Sequence, residues 1–283
     1  MLWEELIQDE FRAAVEKSRG VCVLPIGCVE AHGIHLPLGC DVMHVVHHCK
    51  LAAEREPVVI FPPLYFGEKA GAGEYPGTII FPEELIARIL EQCCKEIHRN
   101  GFKKILIVNS HGGNVSMLNN FARSVLLKRN GYLVFVCGSN LFRSAPKSLL
   151  KDVGRYRYLT EEDIEILKAY GTKKDGHGCF VETGWMLDAR PDLTRVDLMG
   201  ERDGTSRHLF DGFSARGIYS PFTWMADHPD SLDGDYHEGL NERIARAMTE
   251  AAVIDLAEKF RYLKEENISL DYYEQWAEKN PAL

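Results

Sequence analysis

The chain has 283 residues, enough for one substantial core or two small ones. Hydrophobic residues make up 45% and charged residues 27%, an ordinary balance for a globular chain and not that of a disordered one. A net charge of −9 argues against a nucleic-acid partner, since phosphate binding needs clustered Lys and Arg.

The N-terminal segment is amphipathic and acidic, without the uninterrupted apolar stretch of a secretion signal, and predicts a helix over residues 2–18. No run approaches the ~20 apolar residues of a membrane helix, so no membrane partner is expected. Eight cysteines are scattered without a C-x-x-C pair, which predicts reduced, mostly buried thiols in a cytoplasmic setting. VCVLPIG (21–27) reads as a strand, and Asp41 as a possible N-cap of a helix ending near Arg55. VVIFPPL (58–64) reads as a second strand ended by prolines, followed by a glycine-rich stretch (67–77) and TIIFP. A helix is expected from Pro82, a favourable first-turn proline, to Arg99. KKILIVNS (103–110) is a strand buried on both faces, residues 114–128 a helix, and YLVFVCG (132–138) another buried strand. Thr160 has the setting of a helix cap, and residues 171–182 of a glycine-rich loop entering a further helix. Residues 200–236, dense in Gly, Asp, His and Ser, suit a long loop or an oligomer contact. The chain closes with a helix over 237–264, and no boundary divides it, so one domain spanning 1–283 is expected.

This βα alternation predicts an α/β fold with a mostly parallel sheet and helices on both faces. Ligands in such sheets collect at the carboxyl ends of the strands. GCVEAHGIHLPLGCD (27–41) and SHGGN (110–114) both stand at such ends.

Glu30 and His32 point to one side of an extended chain, a carboxylate and an imidazole suited to a divalent metal; a surface pair fits the spacing equally. Asp41 taken alone is an N-cap. His111 precedes two glycines that let the backbone approach a ligand. His177 and Glu182 lie at a loop-to-helix transition, where they face one cavity or are unrelated. Together, Glu30, His32, Asp41, His111 and Glu182 suffice for two metals with one bridging carboxylate. His47-His48, Asp227-His228 and His237-Glu238 are metal-capable but read as structural, and Trp185, Trp224 and Phe222 as core packing before a pocket lining, which their type also allows. No P-loop and no G-x-S-x-G elbow occurs.

LPIGCVEAHGIHLPLGCD resembles the signature of the creatininase family, and YPGT (75–78), NSHGGN and HGCFVETG resemble its further motifs in the same order. The resemblance covers residues 18–250. It implies a three-layer α/β/α fold, a centre of two divalent ions (Zn, Mn or Fe), hydrolysis of amide-type C–N bonds and a homo-oligomer, often a hexamer. It further implies Glu30, His32, Asp41, His111 and Glu182 as ligands, with Asp41 bridging, and His177 in proton transfer beside Glu182. His35, Asn114, Gly113 and Thr78 would support the site or touch substrate; His35 is equally a turn residue. The creatinine-hydrolysing members carry His-Tyr-Glu-Asn where this chain has His111-Gly-Gly-Asn114, which points away from creatinine. The segment before YPGT also lacks a histidine that many members have. The expected activity is hydrolysis of a small, possibly cyclic amide by a metal-bridging hydroxide. Hydrolysis of a C–C or lactone bond on the same site, as in keto-inositol hydrolases, is the alternative, with a non-catalytic metal-binding subunit as a third reading.

Overall fold

Side chains alternate along the central strand β1 (Val21–Ile26). Val21 and Val23 enter one apolar layer, while Cys22, Leu24 and Ile26 enter the other. A strand that is apolar on both faces must be covered twice, and it is. The computed structural model describes residues 1–69, 72–137, 145–171, 175–234 and 238–280. β1, β2 (Val59–Ile60), β3 (Lys104–Asn109) and β4 (Leu133–Cys137) form one parallel sheet in the order β2-β1-β3-β4. In chain order the helices are α1 (Gln8–Lys17), α2 (Cys40–Arg55), α3 (Glu83–Arg99), α4 (Asn114–Leu127), α5 (Ala145–Lys151), α6 (Glu161–Tyr170), α7 (Phe180–Ala189), α8 (Asp211–Ser214), α9 (Thr223–Asp227), α10 (Glu242–Glu265) and α11 (Ile268–Lys279).

Ala14 of α1, Leu90 of α3 and Leu118 of α4 pack on the layer of Leu24. Val45 of α2, Leu167 of α6, Trp185 of α7 and Phe260 of α10 pack on the layer of Val23. The expected three-layer α/β/α architecture is thus present. Pro25 is tolerated mid-sheet because the Val23 and Pro25 carbonyls face the β2 side, accepting from Phe61 and Leu64. The N–H that proline lacks falls on that side, beyond the end of β2 at Ile60, and not against β3.

Several local expectations change. β4 was read as buried, yet four of its five residues are only half-buried, because it is the sheet edge and a cleft separates it from α10. The second strand shrinks to Val59–Ile60, with a lone bridge from Ile26 to Leu64, since Pro62 and Pro63 cannot donate to a ladder. Pro82 is the N-cap position of α3, one residue before the helix. The first helix begins only at Gln8, after a short 3-10 turn at Trp3–Glu5. The closing helix begins at Glu242, capped by Asn241, and α11 follows it. His237 lies outside the described residues. No described helix is long and apolar enough to cross a membrane.

Candidate metal centre

The local chain explains how the site residues meet. At Gly27 a Cβ would stand 2.7 Å from the Asp41 Cβ, so glycine lets β1 leave the sheet directly against the first turn of α2. The Ser110 hydroxyl donates to the Asp41 carbonyl at 2.9 Å and contacts the Ile26 carbonyl at 3.1 Å, tying β3 to the same point. Asp41 is therefore no N-cap. It is the second residue of α2, after an N-cap at Gly39, and its carboxylate is buried in the site. The loop between is pinned at both ends: Glu30 N–H donates to Leu38 O, and Ala31 N–H to Thr78 Oγ1 at 3.1 Å. Thr78 thus holds the segment that carries Glu30 and His32. Gly33 turns that segment with φ +64, where a side chain would be strained.

Two half-sites result. In the first, His111 Nδ1 lies 2.7 Å from Glu30 Oε1, and His177 Nδ1 lies 3.8 Å from the same oxygen. In the second, His32 Nε2 lies 3.4 Å from Asp41 Oδ1 and 3.6 Å from Glu182 Oε2. Asp41 joins them, because its other oxygen lies 3.3 Å from His111 Nδ1. Potential ligand atoms of Glu30, His32 and His177, and of His32, Asp41 and Glu182, each fall within 4.8 Å of one another. Glu30, His32 and Asp41 are fully buried, whereas the side chains of His177 and Glu182 are 12% and 15% exposed and mark the open side.

The donor set suits divalent ions. His32 Nε2 and Asp41 Oδ2 are buried without a hydrogen-bond partner among the described residues, and the Glu30 oxygens face cations without a well-directed hydrogen bond. Buried charged atoms left in this state carry a large penalty unless something compensates them. Three carboxylates and two imidazoles are oxygen and nitrogen donors of the kind that hold zinc or manganese. His32 Nδ1 donates to Glu30 O at 3.1 Å, which leaves Nε2 free to bind. His111 Nε2 donates to Glu68 O at 2.7 Å, which leaves Nδ1 free.

The electrostatics follow from burial and crowding. Burial alone would raise the Glu30 and Asp41 carboxyls, but the neighbouring histidines hold both well below their ordinary values. Burial would lower His32 and His111, but Cys40 and Asp41 hold the first, and Glu30 and Asp41 the second, well above theirs. Burial pushes Glu182 up to about 7, opposed by His32. Burial and the His32 charge push His177 down to about 3. Its Nε2 donates to Ala31 O at 2.6 Å, and its ring lies over His32 with centroids 4.0 Å apart. Nδ1 is then the nitrogen that accepts a proton.

The supporting residues have identifiable tasks. Asn114 fixes the loop after β2: its Oδ1 accepts from Glu68 N–H at 2.7 Å, and its amide donates to Gly27 O and Asn109 Oδ1. Gly113 is required by space, since a Cβ there would stand 2.5 Å from His111 Nε2 and 2.7 Å from Glu68 O. His35 is more than a turn residue; it is buried and bonded to Thr183 Oγ1 at 3.0 Å, which steadies the turn of α7 carrying Glu182. Cys28 lies near Glu30 and His111, with burial pushing its thiol up to about 11.

Three contributors were missed in the sequence. Lys69 Nζ lies 2.5 Å from Glu30 Oε2. Trp224, read as core, stands at the site with its ring edge-on to His177 at 5.1 Å and below Lys69 at 4.3 Å. Asn109 grips the His111 backbone through both amide atoms. The legible signal for Lys69 was a lone lysine in the glycine-rich run before YPGT; Trp224 suits a pocket lining in sequence, but core packing is the commoner use of a tryptophan. Of the other pairs, His48 packs on Trp185 in the core and His47 binds Asp188 at 3.0 Å, as structural residues do. His228 stacks behind Trp224.

A family-model match over nearly the whole chain places it among the amidohydrolases. Within that class, the family model for creatininase, described as creatinine amidohydrolase, matches residues 4–260, and the chain belongs to this family. It is 28% identical over 230 residues to creatinine amidohydrolase of Pseudomonas putida, covering 77% of this chain and 82% of that one. Over 106 residues it is 34% identical to the mycofactocin precursor peptide peptidase of Mycolicibacterium smegmatis, covering 34% of this chain and 41% of the peptidase. A manganese form of creatininase superposes with a TM-score of 0.71 at 22% identity, covering 94% of this chain and 99% of the other, and a zinc form is also similar in fold.

Proposed function

We propose that the chain hydrolyses an amide-type C–N bond of a small, possibly cyclic substrate other than creatinine, with two divalent ions held by Glu30, His32, Asp41, His111 and Glu182. The observation that carries this reading is Asp41, whose two oxygens face the two half-sites separately. The ions, when bound, supply an acidified water as nucleophile and a Lewis acid for the carbonyl oxygen.

The protein's own residues do the rest. Glu30 and His111 would hold one ion and His32 and Glu182 the other, with Asp41 facing both groups. The loop bonds through Thr78 and Asn114 fix these donors before substrate arrives. His177 takes a proton at Nδ1 and passes it to the departing nitrogen, since its Nε2 proton stays committed to Ala31 O. Its position on the open side gives it access to the leaving group. Gly113 speaks against creatinine: the glutamate of the creatinine-hydrolysing pattern would displace the His111–Glu68 contact here.

Metal content and a substrate panel test the reading together. The purified protein should hold two equivalents of zinc or manganese and turn over a member of a panel of formamido-pyrimidines, cyclic imides, hydantoins and short peptides. Turnover of a keto-inositol alone would reassign the bond to C–C. A protein without stoichiometric metal, or one that prefers creatinine, contradicts the proposal.

A further inference from the structure

We infer that Lys69 binds an anionic group of the substrate, so that the amide cleaved here carries a carboxylate or a comparable anion near the scissile bond. This rests on the amide-hydrolase reading above and names its substrate class. The bonds that steady His111 also deliver Lys69. Glu68 N–H donates to Asn114 Oδ1 and Glu68 O accepts from His111 Nε2, both at 2.7 Å, so the backbone just before Lys69 is fixed at the site. The Lys69 ammonium lies 2.5 Å from Glu30 Oε2 and 4.3 Å from the centre of the Trp224 ring, and its side chain is only 13% exposed.

Glu30 is a member of the proposed ligand set. When its carboxylate is engaged by a divalent ion, its charge is shared with that ion, and Lys69 becomes a cation beside a cation. Three carboxylates, Glu30, Asp41 and Glu182, offset three of the four charges of two divalent ions. Lys69 adds another positive charge, on the same open side as His177 and Glu182. The face of Trp224 stabilises the ammonium in place without neutralising it. An arriving anion pairs with Lys69, and the amide faces His177. A neutral amide gains none of this, and an ammonium-bearing one is repelled.

The test compares N-acetylglycine with N-acetylglycinamide, matched in shape and differing in one charge, by calorimetric titration of the metal-loaded protein. Wild type should prefer the carboxylate by about tenfold or more, the size expected of a charge-assisted contact. Lys69→Gln should lose that preference while keeping its two metals and its melting temperature, and Lys69→Arg should retain most of it. An unchanged preference in Lys69→Gln, or none in wild type, overturns the inference. Loss of metal from Lys69→Gln also overturns it, because Lys69 would then be a counter-ion that assembles the ligand cluster. The parent reading fails separately: a wild-type protein without metal, or one inert to every amide, contradicts it whichever way the two probes bind.

Discussion

Glu30 and His32 are two residues apart and serve different partners: Glu30 faces His111 at 2.7 Å, while His32 faces Asp41 at 3.4 Å and Glu182 at 3.6 Å. Substitutions should therefore remove metal unequally. Glu30→Gln should lose one equivalent, Glu182→Gln the other, and Asp41→Asn both. Elemental analysis of the purified variants reads this directly. Equal, complete loss in all three would mean that the two halves do not load separately.

Gly113→Ala should damage the site without unfolding the chain. Its backbone is helical, so alanine brings no strain there, but the added carbon would stand 2.5 Å from His111 Nε2. The His111–Glu68 hydrogen bond must give way. We expect metal affinity to fall about 10- to 100-fold, as for other partners that orient a ligand, with a stability loss of roughly 1–3 kcal/mol from overpacking. Competition against a metal indicator separates the two effects. Wild-type affinity in this variant would remove the role given to Glu68 O.

His177→Gln should lower kcat by about 10²–10⁴ with metal content unchanged, since proton transfer is lost and the proposed ligand set is not. Steady-state kinetics on the best panel substrate, beside elemental analysis, checks it. A variant that loses one metal would place His177 among the ligands, a role its 3.8 Å approach to Glu30 leaves open.

Asp163 gives a pH dependence remote from the centre. It accepts from Arg243 at 2.7 and 3.0 Å, from Asn241 at 2.8 Å and from Thr160 N–H at 2.8 Å, joining the starts of α6 and α10. The Arg243 guanidinium above all holds its carboxyl well below the ordinary range. The folded pKa lies under the unfolded value of about 3.9, so this stabilisation is complete above that pH and fades as pH falls below it. Asp163→Asn should cost about 1–2 kcal/mol at pH 7, discounted because Arg243 is half exposed, and flatten the decline below pH 4. Urea unfolding at pH 7 and pH 3.5 measures both. A variant with the same acid slope as wild type would show that other carboxylates dominate.

Some of this was legible in the order of residues and some was not. Continuous apolar runs announce β1 and β3, because a strand covered on both faces has no polar side. Thr160 announces the start of α6, because a cap is a local contact, and the structure completes it as a capping box with Asp163. β4 was misread because an edge strand and a central strand share composition and differ only in what lies beside them. Asp41 alone suits a cap or a ligand, because it stands near a helix start; its place as second residue of α2, with its carboxylate facing His32 and His111, is set by the fold.

By itself, then, the sequence determined the parallel α/β order and the kinds of donor at the strand ends, since both depend on contacts within a few residues. Only the tertiary structure decided which donors share a half-site, that Trp224 leaves the core for the site, and that Lys69 stands on Glu30. Those relations join residues as far apart as Glu30 and His111, or Lys69 and Trp224, and no local pattern encodes a distance that the folding of the sheet creates.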